Sequence, residues 1–190
     1  MALASKTRDA KNGIPYSSGQ AHFRHRCGWY RFIALVSFTH CYDYSHPFGV
    51  QREGLLYLKK GWNVLCFGSA NDHETGKKIS NFDNLQEEDH FYNLIGKTSL
   101  VDAVDLLSHC KKAVSNDSGL MHIAAAVETP IVAVYGPSSP EYTPPLINKK
   151  VIIRKMEGYK KIREGNLPDG YDVSLLSISP EEVMEALETL

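Results

Sequence analysis

From about Leu55 onward, two hydrophobic patterns alternate along the chain. Short apolar runs bounded by turn residues are followed by longer stretches whose apolar positions recur three or four apart. Residues 62–67 form a continuous run bounded by glycine, as a buried parallel strand requires. Residues 94–95, 113–115, 131–135 and 151–154 predict further strands. Between them, residues 55–60 end a helix that Gly61 caps, and Asp72-His73-Glu74 opens the next with its carboxylates at the favourable end. Residues 99–113 predict an amphipathic helix with Leu100, Ala103, Val104, Leu107 and Cys110 on one face. Ser179-Pro180-Glu181-Glu182 supplies a cap, a proline at N1 and a glutamate at N3 for a terminal helix. The pattern predicts a three-layer, Rossmann-like α/β domain with a mainly parallel sheet over residues 55–190. The runs 62–67, 113–115 and 131–135 are expected to be neighbouring strands.

The run from Val114 to Ala126 carries the most chemistry. A short strand, Ala113-Val114, meets the turn Ser115-Asn116-Asp117-Ser118-Gly119 and then a helix rich in alanine. Asp117 and Ser118 can cap that helix, and Gly119 lets a ligand approach the backbone closely. The N–H groups of the first turn then form a site for a phosphate or diphosphate. The strand 131–135 follows Pro130 and ends at Gly136-Pro137-Ser138-Ser139-Pro140, completing a βαβ unit with its loops at the ligand-binding edge. The plainer reading is that Asn-Asp-Ser-Gly is a good turn and helix cap and nothing more.

The chain has 190 residues, 43% of them hydrophobic, and a net charge of −1. That is enough for one core, and it gives no pull toward nucleic acid or an anionic membrane. No apolar stretch is long enough to span a bilayer, and the start lacks the order of a signal peptide, so the expected location is cytoplasmic. Cys27, Cys41, Cys66 and Cys110 read as free thiols, with Cys66 and Cys110 in apolar, core-like settings.

Residues 18–54 differ in character from the rest of the chain. They hold four of the eight histidines and two of the four cysteines, and their only acids are Asp43 and Glu53. His22, His25, Cys27, His40, Cys41 and His46 suit zinc by type, but C-x-x-C and H-x₃₋₅-H pairs are not combined in the usual order. Within the same segment, residues 33–38 read as a buried strand.

Several stretches together resemble the ADP-heptose:lipopolysaccharide heptosyltransferases, nearest the heptosyltransferase II type. They are Gly61 through Glu74, Gly96-Lys97-Thr98-Ser99-Leu100, the Asp117-Ser118-Gly119 turn, Tyr135-Gly136-Pro137-Ser138-Ser139-Pro140 through Thr143-Pro144-Pro145-Leu146, and Gly158-Tyr159-Lys160-Lys161-Ile162-Arg163. Almost everything after about Leu58 fits. The resemblance implies the C-terminal half of a GT-B glycosyltransferase, the half that holds the nucleotide sugar. Residues 1–17 then resemble the interdomain linker. The half that receives the acceptor and supplies the general base is not represented, so no catalytic residue is assigned within this chain.

The resemblance also implies what each residue does. Ser118, Gly119 and Leu120 offer backbone N–H groups to the diphosphate of ADP-heptose. Asp117 orders the loop or accepts hydrogen bonds from sugar hydroxyls, since a carboxylate in contact with phosphate would repel it. His122 donates to a phosphate or heptose hydroxyl, or is an ordinary helix histidine. Glu74 sits where these folds place a ribose-binding carboxylate, or is a favourable helix charge. Thr98 and Ser99 occupy an adenine-side loop, Ser99 serving equally well as a helix cap. Lys160, Lys161 and Arg163 meet acceptor phosphates or form a solvated face. No metal and no cofactor is implied beyond the donor substrate.

The expected partners are ADP-heptose or ADP and the lipopolysaccharide inner core, at the cytoplasmic face of a Gram-negative inner membrane with peripheral contact. A separately encoded N-terminal half is a further expected partner. The alternatives are a non-catalytic nucleotide-sugar-binding domain and a degenerate remnant. In the family, residues 18–54 should hold a Gly-rich loop and a basic element, and neither is readable here. We therefore expect a frame slip near Ser18, recovered near Leu55. An intact reading frame across the gene's nucleotide sequence would refute it.

Overall fold

The structure, a computed structural model, describes residues 31–36, 50–158 and 173–190. Six strands form one sheet: β1 (Phe32–Val36), β2 (Asn63–Phe67), β3 (Phe91–Asn93), β4 (Lys112–Asn116), β5 (Ile131–Tyr135) and β6 (Lys150–Arg154). Their order is β3-β2-β1-β4-β5-β6, and every neighbouring pair is parallel. Parallel strands need crossovers, and helices supply four of them, α1 (Val50–Lys59), α2 (His73–Asn81), α3 (Leu100–His109) and α4 (Gly119–Ala126), while a loop joins β5 to β6. Two more, α5 (Val173–Leu176) and α6 (Pro180–Glu188), follow β6.

Both faces of the sheet are covered, which is why its strands are apolar throughout rather than alternating. Ile33, Leu35, Val64, Cys66, Val114, Val132 and Val134 point into one core with Tyr57, Ile79, Val183 and Leu187. Phe32, Ala34, Leu65, Phe67, Ala113, Ile131, Ala133 and Tyr135 point into the other, against Ala103, Leu106, Leu107, Met121 and Ala124. The alanines on this second side let α3 and α4 lie close to the sheet. Burial pushes the Cys66 thiol up to about 12, and Cys110 rises for the same reason, so both are neutral core side chains.

The α/β class with a parallel sheet stands as expected, but the strand order does not. Residues 62–67 and 113–115 are not neighbours, because β1 lies between them and pairs with both. This central strand comes from the segment that composition set apart. Phe-Ile-Ala-Leu-Val is apolar on both faces, and that alone qualifies it for the middle of the sheet.

Three local expectations also shift. The strand near residues 94–95 falls earlier, at Phe91–Asn93, because pairing with Val64–Cys66 sets its register. Leu94 and Ile95 follow as buried loop residues, the Leu94 N–H donating to the Cys66 carbonyl at 2.9 Å. The helix expected over 99–113 ends at His109, since Lys112 already belongs to β4. Its buried stripe is Ala103, Leu106, Leu107 and Cys110, leaving Leu100 and Val104 exposed. The stripe follows the face that meets the sheet, not the longest apolar series. Gly61 does close α1, with a φ of +75° and its N–H on the Leu58 carbonyl at 2.8 Å.

Replacing Leu35 with alanine tests the central strand. Leu35 is 1% exposed, so Leu35→Ala should lower unfolding free energy by about 3 kcal/mol. Val101→Ala, at a position 74% exposed, should change it by less than about 0.5 kcal/mol. Denaturant titrations of the two variants giving equal midpoints would contradict the placement of β1.

Candidate functional site

In open parallel sheets, ligands bind beyond the carboxyl ends of the strands, where the order reverses direction. Here that point lies between β1 and β4. The chain leaves β4 at Asn116, turns through Asp117 and Ser118, and enters α4 at Gly119. Ser118 is the N-cap by backbone geometry, with φ −149° and ψ 165°, but its side chain makes no capping hydrogen bond. That corrects the expected cap. Its hydroxyl lies 3.3 Å from the Ser115 hydroxyl, which itself donates to the Asn116 carbonyl at 2.8 Å. Asp117 does not cap either, because its Oδ2 accepts from Thr143 Oγ1 at 3.1 Å.

A helix leaves its first N–H groups without partners inside the helix. The Met121 N–H reaches the Ser118 carbonyl at 3.1 Å, so the groups left at the tip are those of Ser118, Gly119 and Leu120. Gly119 is exposed, its φ is not in the left-handed region, and a Cβ built there would meet no atom within 4 Å. The absent side chain therefore answers to neither backbone strain nor a packing clash, and the backbone there is open from outside. The partial positive charge of the helix end faces the same open space.

The loop between β5 and β6 forms a second wall. Tyr135 ends β5 fully buried, donates from Oη to the Thr143 carbonyl at 2.6 Å, and lies 3.4 Å from Met121 Sδ on α4. Burial raises the Tyr135 hydroxyl, and the Asp117 charge raises it further, so it remains a neutral donor. Behind the loop, a Cβ on Gly136 would come within 2.6 Å of Leu175 Cγ, so α5 packs directly on the backbone there. Arg154 Nε donates to the Gly136 carbonyl at 3.4 Å, and its guanidinium also binds the Gly158 carbonyl. Asn116 Oδ1 is buried without a hydrogen-bond partner among the described residues.

The fold thus brings Asp117, Ser118, Gly119, Leu120 and His122 together on one turn, with His122 exposed. Glu74 and Thr98 lie on the same edge of the sheet, beyond the ends of β2 and β3 and on the far side of β1. Glu74 is exposed and pairs with Lys77 at 2.7 Å, and that hydrogen bond and charge lower its carboxyl. Asp72 is a capping carboxylate, accepting from the Ser69 N–H at 2.6 Å and hydroxyl at 2.8 Å. Ser99 is likewise occupied as the N-cap of α3, in a reciprocal pair with Asp102. Lys160, Lys161, Arg163 and the six candidate zinc ligands of residues 22–46 lie outside the described residues. Among the described residues, no three His, Cys, Asp or Glu side chains gather as a metal site, and no helix is long and apolar enough to cross a membrane. Tyr135, Thr143 and Arg154 received no site role from the sequence, although Tyr135 and Thr143 stand in a stretch that carries the resemblance. The one hint was a tyrosine at the strand end, where an apolar residue would serve packing equally well.

Residues 55–171 match the profile of glycosyltransferase family 9 (heptosyltransferase). Lipopolysaccharide heptosyltransferase 2 of Salmonella typhimurium is 48% identical over 133 residues, covering 70% of this chain and 38% of the relative. Lipooligosaccharide heptosyltransferase 2 of Haemophilus influenzae is 47% identical over 136 residues, covering 71% and 39%. The chain therefore spans about two fifths of the length of these curated relatives. The solved Escherichia coli ADP-heptose lipopolysaccharide heptosyltransferase II superposes with a TM-score of 0.72 at 38% identity, over 84% of this chain and 46% of that one. The E. coli heptosyltransferase WaaC with ADP, at 20% identity and a TM-score of 0.61, shares the fold. With its parallel Rossmann-like sheet and this match across most of its length, the chain belongs to glycosyltransferase family 9, the heptosyltransferases.

Proposed function

We propose that this chain forms the nucleotide-sugar-holding portion of an inverting heptosyltransferase that takes ADP-heptose as donor. The observation that carries this is the uncapped, outward-facing start of α4 at the reversal point of the sheet. Ser118, Gly119 and Leu120 would hold the diphosphate through backbone N–H groups, and His122 would donate to a phosphate or sugar oxygen. Asp117, kept off the phosphates by charge, would accept from a sugar hydroxyl. Glu74 would take the ribose, exchanging Lys77 for its hydroxyls, and Thr98 would line the adenine side. The leaving diphosphate is thereby stabilised by fixed backbone dipoles, and we assign no cofactor. One neighbour, the iron-containing heptosyltransferase TibC, is 17% identical and bears on the fold alone.

The acceptor in this reading is the lipopolysaccharide inner core, met at the cytoplasmic face of the inner membrane of a Gram-negative bacterium. The base that deprotonates it would lie in an N-terminal half, on the same polypeptide or encoded separately. In this reading residues 1–17 are an interdomain linker, 18–54 a segment altered by a frame slip, and 55–190 the nucleotide-sugar-binding portion, whose fold also takes in β1 and the start of α1 from the segment before it. A domain that binds nucleotide without catalysis is the competing reading.

Two charge-assisted hydrogen bonds to these N–H groups contribute about 1.5–3 kcal/mol each, which puts the diphosphate contribution alone between tens of micromolar and several millimolar. Calorimetric titration with ADP should therefore give a dissociation constant weaker than about 1 μM. Gly119→Val should abolish binding without strain, because the position is open and its φ is ordinary. Unchanged ADP affinity in that variant would rule out the turn as the site.

Purified alone, the chain should transfer no heptose to a lipopolysaccharide acceptor in a mass-spectrometric assay. Each tenfold loss in rate is about 1.4 kcal/mol of transition-state stabilisation, and a missing general base costs several such factors. Acceptor-dependent transfer by the chain alone would overturn this and point to Asp117 as the base, since Asp72 is held by its capping hydrogen bonds.

A further inference from the structure

Asp117 is anchored from outside its own turn. Among the described residues, its side chain takes one hydrogen bond, from Thr143 Oγ1 to Oδ2 at 3.1 Å. The other oxygen is left for a ligand. Thr143 is itself fixed from below, since the buried Tyr135 hydroxyl donates to its carbonyl at 2.6 Å. From the side, its N–H lies 3.3 Å from the Ser139 carbonyl, and Pro144 comes immediately after it. A residue before proline is confined to extended conformations, which narrows the directions its side chain can take. The same hydroxyl lies 3.4 Å from the Ser139 carbonyl, but the carboxylate is nearer and charged, so it is the preferred acceptor. Tyr135 also touches Met121 of α4, so one buried ring ties the β5–β6 loop to the helix that bears the proposed diphosphate site.

We infer that Thr143 is a positioning residue for the sugar end of the donor: held by Tyr135, it fixes the Asp117 carboxylate so that its second oxygen accepts a sugar hydroxyl. This rests on the reading of the α4 turn as the donor site. Thr143 acts on one half of the ligand only. The diphosphate meets backbone N–H groups, which do not depend on Thr143, while the sugar meets a carboxylate that does. An unanchored Asp117 must be ordered by the ligand itself, and that cost falls on the sugar-bearing ligand alone.

The measurement is the ratio of ADP-heptose to ADP affinity, taken by calorimetry on the full chain. The wild-type chain should favour the sugar nucleotide, and Thr143→Val should reduce that preference by about fivefold. Thr143→Ser keeps the hydroxyl and should restore it, while Tyr135→Phe should show an intermediate loss. If Thr143→Val fails to fold, by circular dichroism, Thr143→Ala makes the same comparison. An unchanged ratio overturns the inference and leaves the diphosphate site standing, provided that Gly119→Val still abolishes ADP binding. Equal losses for both ligands, or a serine variant as poor as valine, assign Thr143 a packing role and also overturn it. If the wild-type chain binds neither ligand, the donor-site reading and this inference fall together.

Discussion

The pairing of β1 with both β2 and β4 is the interaction on which the rest depends. It joins two sets of crossovers that run in opposite directions across the sheet. It therefore creates, among the described residues, the point at a carboxyl edge where the strand order reverses, the kind of place where open parallel sheets bind ligands. Without β1, the β4–α4 turn would sit beside β2, and the helices on the first face would lose the floor provided by Ile33 and Leu35. A Cβ on Gly54 of α1 would lie 3.4 Å from Leu35 Cδ1 and 3.7 Å from Val64 Cγ1, so the helix leading into β2 is seated on both strands. The terminal helix α6 closes the same core, burying Val183 and Leu187 completely. Its lysine contacts, Lys60 to Glu188 and Lys155 to Glu182, are exposed and contribute little beside that burial. Lys112, reaching the Leu187 carbonyl at 2.5 Å, adds a charged donor to a helix end whose carbonyl also accepts from the Leu190 N–H at 3.3 Å.

Most of this was legible from local chemistry. Gly61 as a C-cap, the box at Ser179 and Glu182, and the apolar runs of β2, β5 and β6 all come from rules acting within a few residues. Strand order was not legible, because it is decided between segments far apart in sequence. β1 was readable as a buried run, yet nothing local said which strands it would separate. The stripe of α3 was legible in part: of the expected face, Ala103, Leu107 and Cys110 are buried, while Leu106 takes the place of Leu100 and Val104, which stay exposed.

The candidate site divides along the same line. The turn itself was visible because its signals are contiguous: strand, small polar residues, glycine, small-residue helix. Its partners were hidden. Thr143 lies 26 residues from Asp117 and meets it only through the fold of the β5–β6 loop. Glu74 illustrates the converse, a residue conspicuous in sequence whose side chain is satisfied by Lys77, one turn away.

The strongest physical argument for function is a local rule that goes unused. Ser118 has the residue type and the backbone angles of an N-cap, and a capping hydrogen bond there is worth about 1 kcal/mol. Ser99 and Ser179, under the same rule in the same chain, both make it. At α4 the hydroxyl turns toward Ser115 and the neighbouring carboxylate is held away by Thr143. The helix end thus keeps its N–H groups directed outward when two candidate acceptors stand beside it. Stability forgone at one turn, when identical chemistry is used at two others, is what a binding site for an external anion requires.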